Sequence, residues 1–387
     1  MADQRNVGAK LSAVGVAAAL AISLVACTSS QDGADNVAAP LPDLYAYMTT
    51  DALVIMSGTS ELVRKIGTFA PNGGLAWTAD GRHVAVIAIE DDQTVPTDRN
   101  LVAVNVESQQ ARTFRCPACL GVAPVGEGKL VAFTGTGELW RFDLASDDVP
   151  VRAQSDLPSM DVGPEAMAGL PDAALLRGAV SMAAAPRGSA SQVFLLSPDG
   201  AVRQVDDVLE NAIVDEAVGT VRNSGDGSAF AVQLRLSGNW CIVYEYIYLL
   251  NPQTGAMTKT DTSEIMPHDV EDEVTPGEYA SLAVQSMWWA QGELYATFAA
   301  WTCTEPETFE DDYELKYVTE SSVWRLDNGR WQPAPEKLPG TLIELDGGTT
   351  VLIDLDDQGT EEGRPLYAEA SGTRTTLTET MLVVSAP

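Results

Sequence analysis

The sequence predicts an all-β fold built from a repeated strand–turn–strand unit. The unit is cleanest at residues 75–90, where Val84 and Val86 alternate with other residues after a tight turn at Asp80 and Gly81. Alternation beside Asp-Gly predicts a hairpin, because glycine adopts the positive φ angle that the turn needs. Weaker copies recur about every 50 residues, as in propeller-like arrays, and no segment has helical periodicity. We therefore interpret this chain of 387 residues as a single β-propeller.

Each predicted blade contains an inner hairpin with a glycine turn and an outer hairpin that follows it. The glycine turns are placed at Gly81, Gly128, Gly178, Gly227, Gly292 and Gly347. The outer hairpins begin at Ala52, Leu101, Glu138, Gln192, Tyr246, Ser322 and Pro365. The two chain ends supply the missing inner hairpin, with residues 381–385 as its innermost strand and residues 44–48 as the second. This gives seven four-stranded blades, with six or eight as alternatives because the Gly178 unit is irregular.

The unit that begins at Trp77 resembles the repeat of TolB-type and WD40-like β-propellers. Trp77, Asp80 and Gly81 match the Trp and the Asp-Gly of that repeat, and residues 223–232 match it in part. The other units lack the Asp-Gly or the Trp, so the motif covers two blades. The resemblance implies a fold and little about function, because propellers host many unrelated activities.

The N-terminus is predicted to be a bacterial export signal. Arg5 and Lys10 precede an apolar segment that is shorter than the roughly 20 residues of a membrane span. The segment ends in Leu-Val-Ala before Cys27, and this tetrapeptide resembles a bacterial lipobox. The resemblance implies cleavage before Cys27 and lipidation of its thiol. The alternative is a plain secretory signal in which the cysteine has no such role.

The chain is therefore expected to have three parts. Residues 1–26 are the lipoprotein signal peptide, residues 27–43 are the lipidated Cys27 and a flexible tether, and residues 44–387 are the propeller. We expect a lipid-anchored protein on the extracytoplasmic face of the cell membrane. The excess of arginine over lysine, with much alanine, glycine and valine, indicates an actinobacterial source.

The charge of the chain restricts its partners. The formal net charge is −32, from 55 acidic and 23 basic residues. This argues against nucleic acid and favours cations or a basic partner. Loops that join the second and third strands of a blade lie on the same side as the connections between blades. The long predicted loops of these two classes span residues 91–100, 155–172, 261–279, 302–313 and 356–364.

Two of these loops are strongly acidic, and we expect them to form a recognition surface. The candidate binding residues are Asp269, Glu271, Asp272, Glu273, Glu310, Asp311 and Asp312. The alternative is that the loops are merely solvated, which is the usual role of a run of like charges.

Export predicts an oxidising compartment, so the remaining cysteines are expected to form disulfides. Cys241 and Cys303 fall in equivalent loops of adjacent predicted blades, which makes a disulfide between them geometrically sensible. Cys116 and Cys119 form a Cys-Pro-Ala-Cys motif, which we interpret as a local structural disulfide. A thioredoxin-type redox motif is the alternative, but it requires a βαβ context that the sequence lacks.

The best metal candidate is an acidic segment near the C-terminus. Its candidate Ca²⁺ ligands are Asp354, Asp356, Gln358 and Glu362. Their oxygens take positions one, three, five and nine, with Gly359 at six, which suits a hard cation. The segment resembles the calcium loops of integrin-type propellers, although Gln358 stands where Asp or Asn is usual. The alternative is an acidic hairpin loop that binds no metal, and no cofactor is required by the fold.

No catalytic constellation is recognisable in the sequence. The chain has two histidines, and neither sits in a Ser-His-Asp pattern. A chain with 55 acidic residues neither identifies nor excludes a glycosidase-type carboxylate pair. We therefore predict a non-catalytic binding or scaffold module for an envelope protein, peptide or glycan. The alternatives are an envelope hydrolase or lyase with a carboxylate pair on the acidic face, and a Ca²⁺-dependent adhesin or sensor.

Overall fold

A computed structural model describes most of the chain from residue 43 onward. The described residues are 43–70, 74–89, 99–134, 136–146, 148–154, 162–170, 173–181, 189–197, 201–205, 215–224, 226–237, 243–266, 278–304, 314–355 and 364–387. They belong to one compact unit, Leu41–Pro387. All regular elements in these ranges are β-strands. Within them no helix is long and apolar enough to cross a membrane.

The described strands form seven antiparallel sheets, numbered here in chain order. Sheet 1 contains β1 (Leu44–Met48), β2 (Ala52–Ser57), β3 (Ser60–Ile66) and β29 (Val383–Ser385). Sheet 2 contains β4 (Leu75–Trp77), β5 (His83–Ile89), β6 (Arg99–Asn105) and β7 (Ala111–Arg115). Sheet 3 contains β8 (Cys119–Pro124), β9 (Lys129–Thr134), β10 (Glu138–Asp143) and β11 (Val151–Gln154). Sheet 4 contains β12 (Val162–Leu170), β13 (Ala173–Ser181), β14 (Ser189–Leu196) and β15 (Val202–Gln204).

The two longest described strands, of 13 and 12 residues, lie in sheet 6 of the last three sheets. Sheet 5 contains β16 (Asp215–Asn223), β17 (Phe230–Ser237), β18 (Val243–Leu250) and β19 (Met257–Lys259). Sheet 6 contains β20 (Glu278–Ala290), β21 (Glu293–Thr304), β22 (Glu314–Tyr317), β23 (Ser322–Asp327) and β24 (Arg330–Pro333). Sheet 7 contains β25 (Thr341–Glu344), β26 (Thr349–Ile353), β27 (Arg364–Ala370) and β28 (Thr373–Met381). Neighbouring strands in each sheet follow chain order, except where β29 joins sheet 1 and where β21 of sheet 6 pairs with both β22 and β23.

The strand pairing confirms that the two ends of the chain share a sheet. β29 pairs with β1, which places Val384 opposite Tyr47 and Ser385 opposite Ala46. The indole Nε1 of Trp77, in the next sheet, donates a hydrogen bond of 3.1 Å to the backbone oxygen of Ser385. The C-terminal strand is therefore fixed both within sheet 1 and against sheet 2.

Each sheet packs face to face against the next, so the apolar core is divided among the interfaces between sheets. Phe133 and Leu139 of sheet 3, for example, share a buried cluster with Phe194 of sheet 4. Another buried cluster joins Val351 of sheet 7 to Val54 of sheet 1. Fully burying one such side chain contributes about 1.5–3 kcal/mol. Buried clusters also join sheets 1 and 2, 2 and 3, 4 and 5, and 5 and 6, and β20 of sheet 6 packs against β25 of sheet 7, which makes the fold a β-propeller.

The Asp-Gly hairpin that defines the repeat has the expected geometry. Gly81 has a φ of +66°, and its backbone N–H donates to the oxygen of Thr78 over 2.8 Å. The side chain of Asp80 accepts a hydrogen bond from the Thr78 hydroxyl at 2.6 Å, which holds the turn together.

Two sequence-based expectations in sheet 4 are wrong. Residues 155–172 were expected to be a loop, but β12 lies within them and forms the edge of the sheet. Its pairing with β13 contains two register shifts, which remove the alternation that identifies a strand. Pro164 is tolerated because an edge strand has one unpaired side. Gly178 was expected in a turn but lies inside β13, opposite Gln192.

We expect ring closure to depend on the buried face of β29. A Val384→Asp substitution places a carboxylate in the cluster between sheets 7 and 1, and should lower the free energy of unfolding by about 3 kcal/mol. Thr375→Asp, on the exposed face of β28, is the matched control and should change stability by less than about 0.5 kcal/mol. Urea unfolding of the full chain measures both, and equal losses would contradict the prediction.

Candidate functional site

A pocket of about 360 Å³ lies between sheets 6 and 7 and is called here the 6/7 pocket. It is lined by Gln285, Tyr317, Thr319, Glu320, Ser321, Pro339, Leu352, Ile353, Asp354, Leu355 and Arg374. Its walls include the connections from β22 to β23, β24 to β25 and β26 to β27. These belong to the loop classes that share one side of a propeller, called here the loop face. The volume falls within the range of small-molecule binding sites.

One wall exists because sheet 6 has an additional strand. The first half of β21 pairs with β23, whereas its last four residues, from Trp301 to Thr304, pair with β22. This pairing fixes Tyr317 opposite Trp301 at the end of β22. Trp301 is buried, but Tyr317 is 44% exposed. The extra strand therefore presents an aromatic ring at the pocket from a rigid backbone.

The floor of the pocket includes a side chain from a β-bulge. The pairing of β20 with β21 shifts register between Val284 and Ser286, so Gln285 is the extra residue on β20. Its Oε1 atom is buried and has no hydrogen-bond partner within the described part of the chain. Bulges re-aim side chains in this way and recur beside binding sites. Gln285 therefore lines the 6/7 pocket from the bulge, while its Oε1 atom lies buried beneath the surface.

Two polar side chains of sheet 5 hold the bulge from the opposite side. The backbone N–H of Val284 donates to Oε2 of Glu245 over 2.6 Å. The amide Nε2 of Gln233 donates to Oε2 of Glu245 over 3.1 Å and to the oxygen of Val284 over 3.3 Å. Oε1 of Gln233 in turn accepts from the N–H of Thr220 over 3.2 Å. The backbone groups freed at the bulge are therefore satisfied by side chains from the neighbouring sheet.

The environment of Glu245 makes its ionisation unfavourable. Burial raises the pKa of this carboxyl above its usual value, and this effect outweighs the opposing hydrogen bond from Val284 and the charge of Arg235. The Nε atom of Arg235 lies 3.9 Å from Oε1 of Glu245, and the arginine side chain is more than half exposed. Solvent therefore screens this ion pair.

A second set of hydrogen bonds fixes the wall that follows the bulge. The hydroxyl of Ser286 donates to Oγ1 of Thr297 over 2.8 Å, and the N–H of Gly340 donates to the same atom over 3.2 Å. Gly340 has a φ of +81°, and a Cβ placed there would lie 2.5 Å from the oxygen of Ile353. Only glycine therefore fits at this point, where the chain enters sheet 7 beside Pro339.

Arg374 brings a positive charge to the pocket from the outermost strand of sheet 7. Its Nε atom lies 3.4 Å from Oε2 of Glu369. The guanidinium carbon lies 5.7 Å from the ring centre of Tyr367, which is a cation–π distance. These two contacts orient the guanidinium, while Glu320 and Asp354 contribute carboxylates to the same pocket.

The structure places one sequence-predicted site residue in the pocket. This residue is Asp354, the first candidate calcium ligand. The other candidate ligands, Asp356, Gln358 and Glu362, lie outside the described residues. The acidic candidates Asp269, Glu271, Asp272, Glu273, Glu310, Asp311 and Asp312 also lie outside them, as does Cys27. Among the residues that are described, no three His, Cys, Asp or Glu side chains form a group that could hold a metal ion.

The cysteines are only partly described. Cys116, just after β7, and Cys119, the first residue of β8, form a disulfide with a Cα–Cα distance of 5.5 Å, and both are fully buried. Burial of both sulfurs fits a structural bond better than a reactive thiol pair. Cys303 is disulfide-bonded. Cys241 lies outside the described residues, so its pairing with Cys303 stays a prediction.

Most of the pocket residues carry no recognisable signal in the sequence. These residues include Gln285, Tyr317, Glu320 and Arg374. A signal for the bulge is nevertheless present, because Leu282, Val284 and Met287 belong to one buried cluster. Their spacing of two residues and then three marks a slip in the strand alternation, and such a slip indicates a bulge. No comparable signal identifies the remaining pocket residues.

The chain is similar to several solved structures at low sequence identity. The β-propeller domain of the Trilobed protease from Pyrococcus furiosus has 11% identity and a TM-score of 0.48, covering 85% of this chain and 87% of that one. BamB from Moraxella catarrhalis has 12% identity and a TM-score of 0.36, with coverages of 87% and 94%. The Cps50 (Swd1) β-propeller domain from Myceliophteria thermophila has 10% identity and a TM-score of 0.39, with coverages of 81% and 86%. No protein-family model and no curated protein matches the chain.

We expect a Glu245→Gln variant to gain stability relative to the wild type as the pH rises. Because burial raises the pKa of Glu245, this carboxyl ionises in the unfolded chain at a lower pH than in the folded protein. The wild type therefore loses free energy of unfolding as the pH rises from the unfolded pKa through the folded pKa, whereas glutamine does not titrate. Urea unfolding of both proteins between about pH 4 and about pH 8 measures this difference. A difference that is independent of pH would contradict the prediction.

We also expect the bulge to depend on Gln233. A Gln233→Leu substitution leaves the backbone oxygen of Val284 and the N–H of Thr220 without their side-chain partner, which should cost about 2 kcal/mol. Gln332→Leu, on the exposed outer strand of sheet 6, is the control and should change stability by less than about 0.5 kcal/mol. Thermal and urea unfolding compare the two variants, and equal stability would show that Gln233 does not support the bulge.

Proposed function

We propose that this protein is a non-catalytic binding module of the cell envelope that holds an envelope protein, peptide or glycan on its loop face. The observation that supports this most is the 6/7 pocket, which combines an exposed aromatic ring, two carboxylates, a guanidinium and a carboxamide. Such a mixture of apolar surface and convergent polar groups is typical of recognition sites. The walls come from two sheets joined through Thr297 and Gly340, so the groups are pre-positioned before a ligand arrives.

Exposed apolar side chains next to the pocket support the same function. Tyr317 is 44% exposed, its neighbour Val318 is 40% exposed, and Leu338, beside Pro339, is 36% exposed. Large apolar side chains that are exposed close together commonly belong to interaction surfaces. They extend the pocket into a surface on which a larger partner can rest.

The strong negative charge of the chain would act mainly on association. A net charge of −32 attracts basic partners and repels acidic ones over distances comparable to the Debye length. The acidic loops that contain Asp272 and Asp311 would add to this effect. Binding is therefore expected to be faster at low ionic strength for a basic partner.

Lipidation of Cys27 is the proposed means of attachment to the membrane. Residues 28–43 then connect the lipid to the first strand of the propeller. A connection of this length would keep the loop face close to the extracytoplasmic surface.

A second candidate function follows from one feature of the pocket. Glu320 and Asp354 both line it, and two carboxylates in one pocket are the minimum for a glycosidase-type hydrolase or a lyase. Turnover of a saccharide that is abolished by both Glu320→Gln and Asp354→Asn would favour this enzyme over the binding module. Calcium bound by Asp354, Asp356, Gln358 and Glu362 would favour the adhesin or sensor instead, and should then raise the melting temperature.

We expect capture of the partner to require the loop face. The full chain is immobilised, incubated with envelope extract and cross-linked, and the captured proteins and glycans are quantified by mass spectrometry. A Tyr317→Ala and Glu320→Lys double variant should reduce capture at least fivefold, because it removes the aromatic surface and reverses a charge at the pocket.

The matched control lies on the opposite side of the propeller, in the turn between β10 and β11. Val149 is 83% exposed and follows the exposed Asp148, so Val149→Ala with Asp148→Lys makes the same two kinds of change. Capture should be retained by this control. Equal capture by wild type and both double variants would contradict the proposed function.

A further inference from the structure

The innermost strands of the seven sheets surround the central channel of the propeller. In sheet order they are β29, β4, β8, β12, β16, β20 and β25. β16 lies between β12 and β20, so its inner edge borders this channel. Arg222 is the second-to-last residue of β16, just before the turn that leads into β17. This turn lies on the side opposite the loop face, so the region is separate from the 6/7 pocket.

The strand ladder places the guanidinium of Arg222 at that inner edge. Hydrogen-bonded and non-hydrogen-bonded pairs alternate along an antiparallel ladder. The N–H of Ser224 donates to the oxygen of Ala229 over 2.9 Å, which makes these two residues a hydrogen-bonded pair. Val221, opposite Val232, is therefore at a non-hydrogen-bonded position, and its oxygen points away from β17. Nη1 of Arg222 donates to this oxygen over 3.1 Å, so the guanidinium lies on the channel side of β16.

This guanidinium lacks the partner that a buried charge requires. Its Nε atom is buried and unbonded, and among the described residues the side chain donates only to Val221. Burial lowers the pKa of the Arg222 guanidinium to about 10, and no carboxylate in the described ranges offsets this effect. The group is therefore still charged at neutral pH. The side chain as a whole is partly exposed, so the Nη2 end of its fork is open to the channel.

An anion in the channel would supply the missing partner. Buried charges in proteins are normally paired, because an unpaired ion loses its hydration without compensation. Even exposed arginines of this chain have carboxylate partners, as Arg64 has in Glu61 and Arg325 has in Glu293. The planar fork of N–H donors in arginine matches the two oxygens of a carboxylate.

The surroundings of Arg222 restrict the anion to a small molecule of single charge. One guanidinium neutralises one negative charge, and a chain of net charge −32 repels multivalent anions such as phosphate more strongly than a monocarboxylate. The guanidinium is also recessed, since its Nε atom is buried. The indole of Trp289 donates to the backbone oxygen of Arg222 over 3.3 Å and ties this end of β16 to sheet 6. The site is therefore formed before a ligand arrives.

We propose that Arg222 binds a small monocarboxylate in the central channel, near the end opposite the loop face. The carboxylate oxygens accept hydrogen bonds from the end of the guanidinium fork, and their charge neutralises the buried cation. The ligand is bound and released unchanged. The proposal goes beyond the proposed function, because it concerns a different site on the other side of the propeller.

The test measures thermal unfolding of the full chain at neutral pH, with sodium acetate exchanged for sodium chloride at constant ionic strength. A ligand that binds the native state raises the melting temperature. We expect saturating acetate to raise it by about 2 °C or more in the wild type. Arg222→Met should abolish this rise, whereas Arg64→Met, on the exposed strand β3, is the matched control and should retain it. The absence of a rise in the wild type, or an equal rise in Arg222→Met, would overturn the proposal.

Two further measurements guard against a folding defect in Arg222→Met. In chloride this variant should melt at or above the temperature of the wild type, because the substitution removes an unpaired buried charge. A lower melting temperature would show that Arg222 already has a partner, and the proposal would be wrong. Phosphate at the same ionic strength should raise the melting temperature of the wild type less than acetate does. A larger rise with phosphate would exclude a monocarboxylate as the preferred ligand.

The outcomes separate this site from the proposed function. The Tyr317→Ala and Glu320→Lys variant should retain the response to acetate, and Arg222→Met should retain envelope capture. If acetate has no effect but capture depends on the loop face, the carboxylate site is wrong and the binding module stands. Loss of the acetate response in the loop-face variant would contradict the placement of the ligand beside Arg222.

Discussion

The pairing of β29 with β1 is the constraint on which the rest of this structure depends. In a propeller every sheet buries one face against each neighbour, so the first and last sheets are stable only if they meet. Here Val384 pairs with Tyr47, and Trp77 holds the backbone of Ser385 from the next sheet. Bringing the two chain ends together costs conformational entropy once. Every sheet then packs against a neighbour on both of its faces. The remaining sheets can tolerate irregular strands because their neighbours hold them in place.

The irregular strands of sheet 6 form one wall of the 6/7 pocket. β20 and β21 are the longest strands described, and β22 occupies the part of β21 that β23 leaves unpaired. The bulge at Gln285 interrupts the ladder, and backbone groups freed there are taken up by Gln233 and Glu245 of sheet 5. Burying Glu245 raises its pKa, so the carboxyl is less favourable as an anion than it would be in water. Burying Glu245 therefore lowers the stability of the fold, while the hydrogen bond that it accepts from Val284 fixes the bulge from which the Gln285 side chain extends.

The pocket also explains how a repeat fold acquires one distinct site. The repeats share their hairpins, but only the junction of sheets 6 and 7 combines a bulge, an inserted strand and the close approach of Gly340 to Ile353 among the described residues. Each of these changes is local and leaves the neighbouring interfaces intact, because repeats interact mainly with their neighbours. Specific recognition can therefore arise at one junction without any change in the architecture.

The sequence by itself determined the hairpins outside sheet 4, the Asp80-Gly81 turn and the strands that close the ring. These features depend on residues close together in the chain or on strand alternation, both of which the sequence displays. It did not reveal β12, whose bulges and Pro164 erase the alternation, or the orientation of Gln285, which depends on groups contributed by Glu245 and Gln233. Only the tertiary structure decided that Gln285, Tyr317, Asp354 and Arg374 share a pocket, because packing of separate sheets brings such distant residues together.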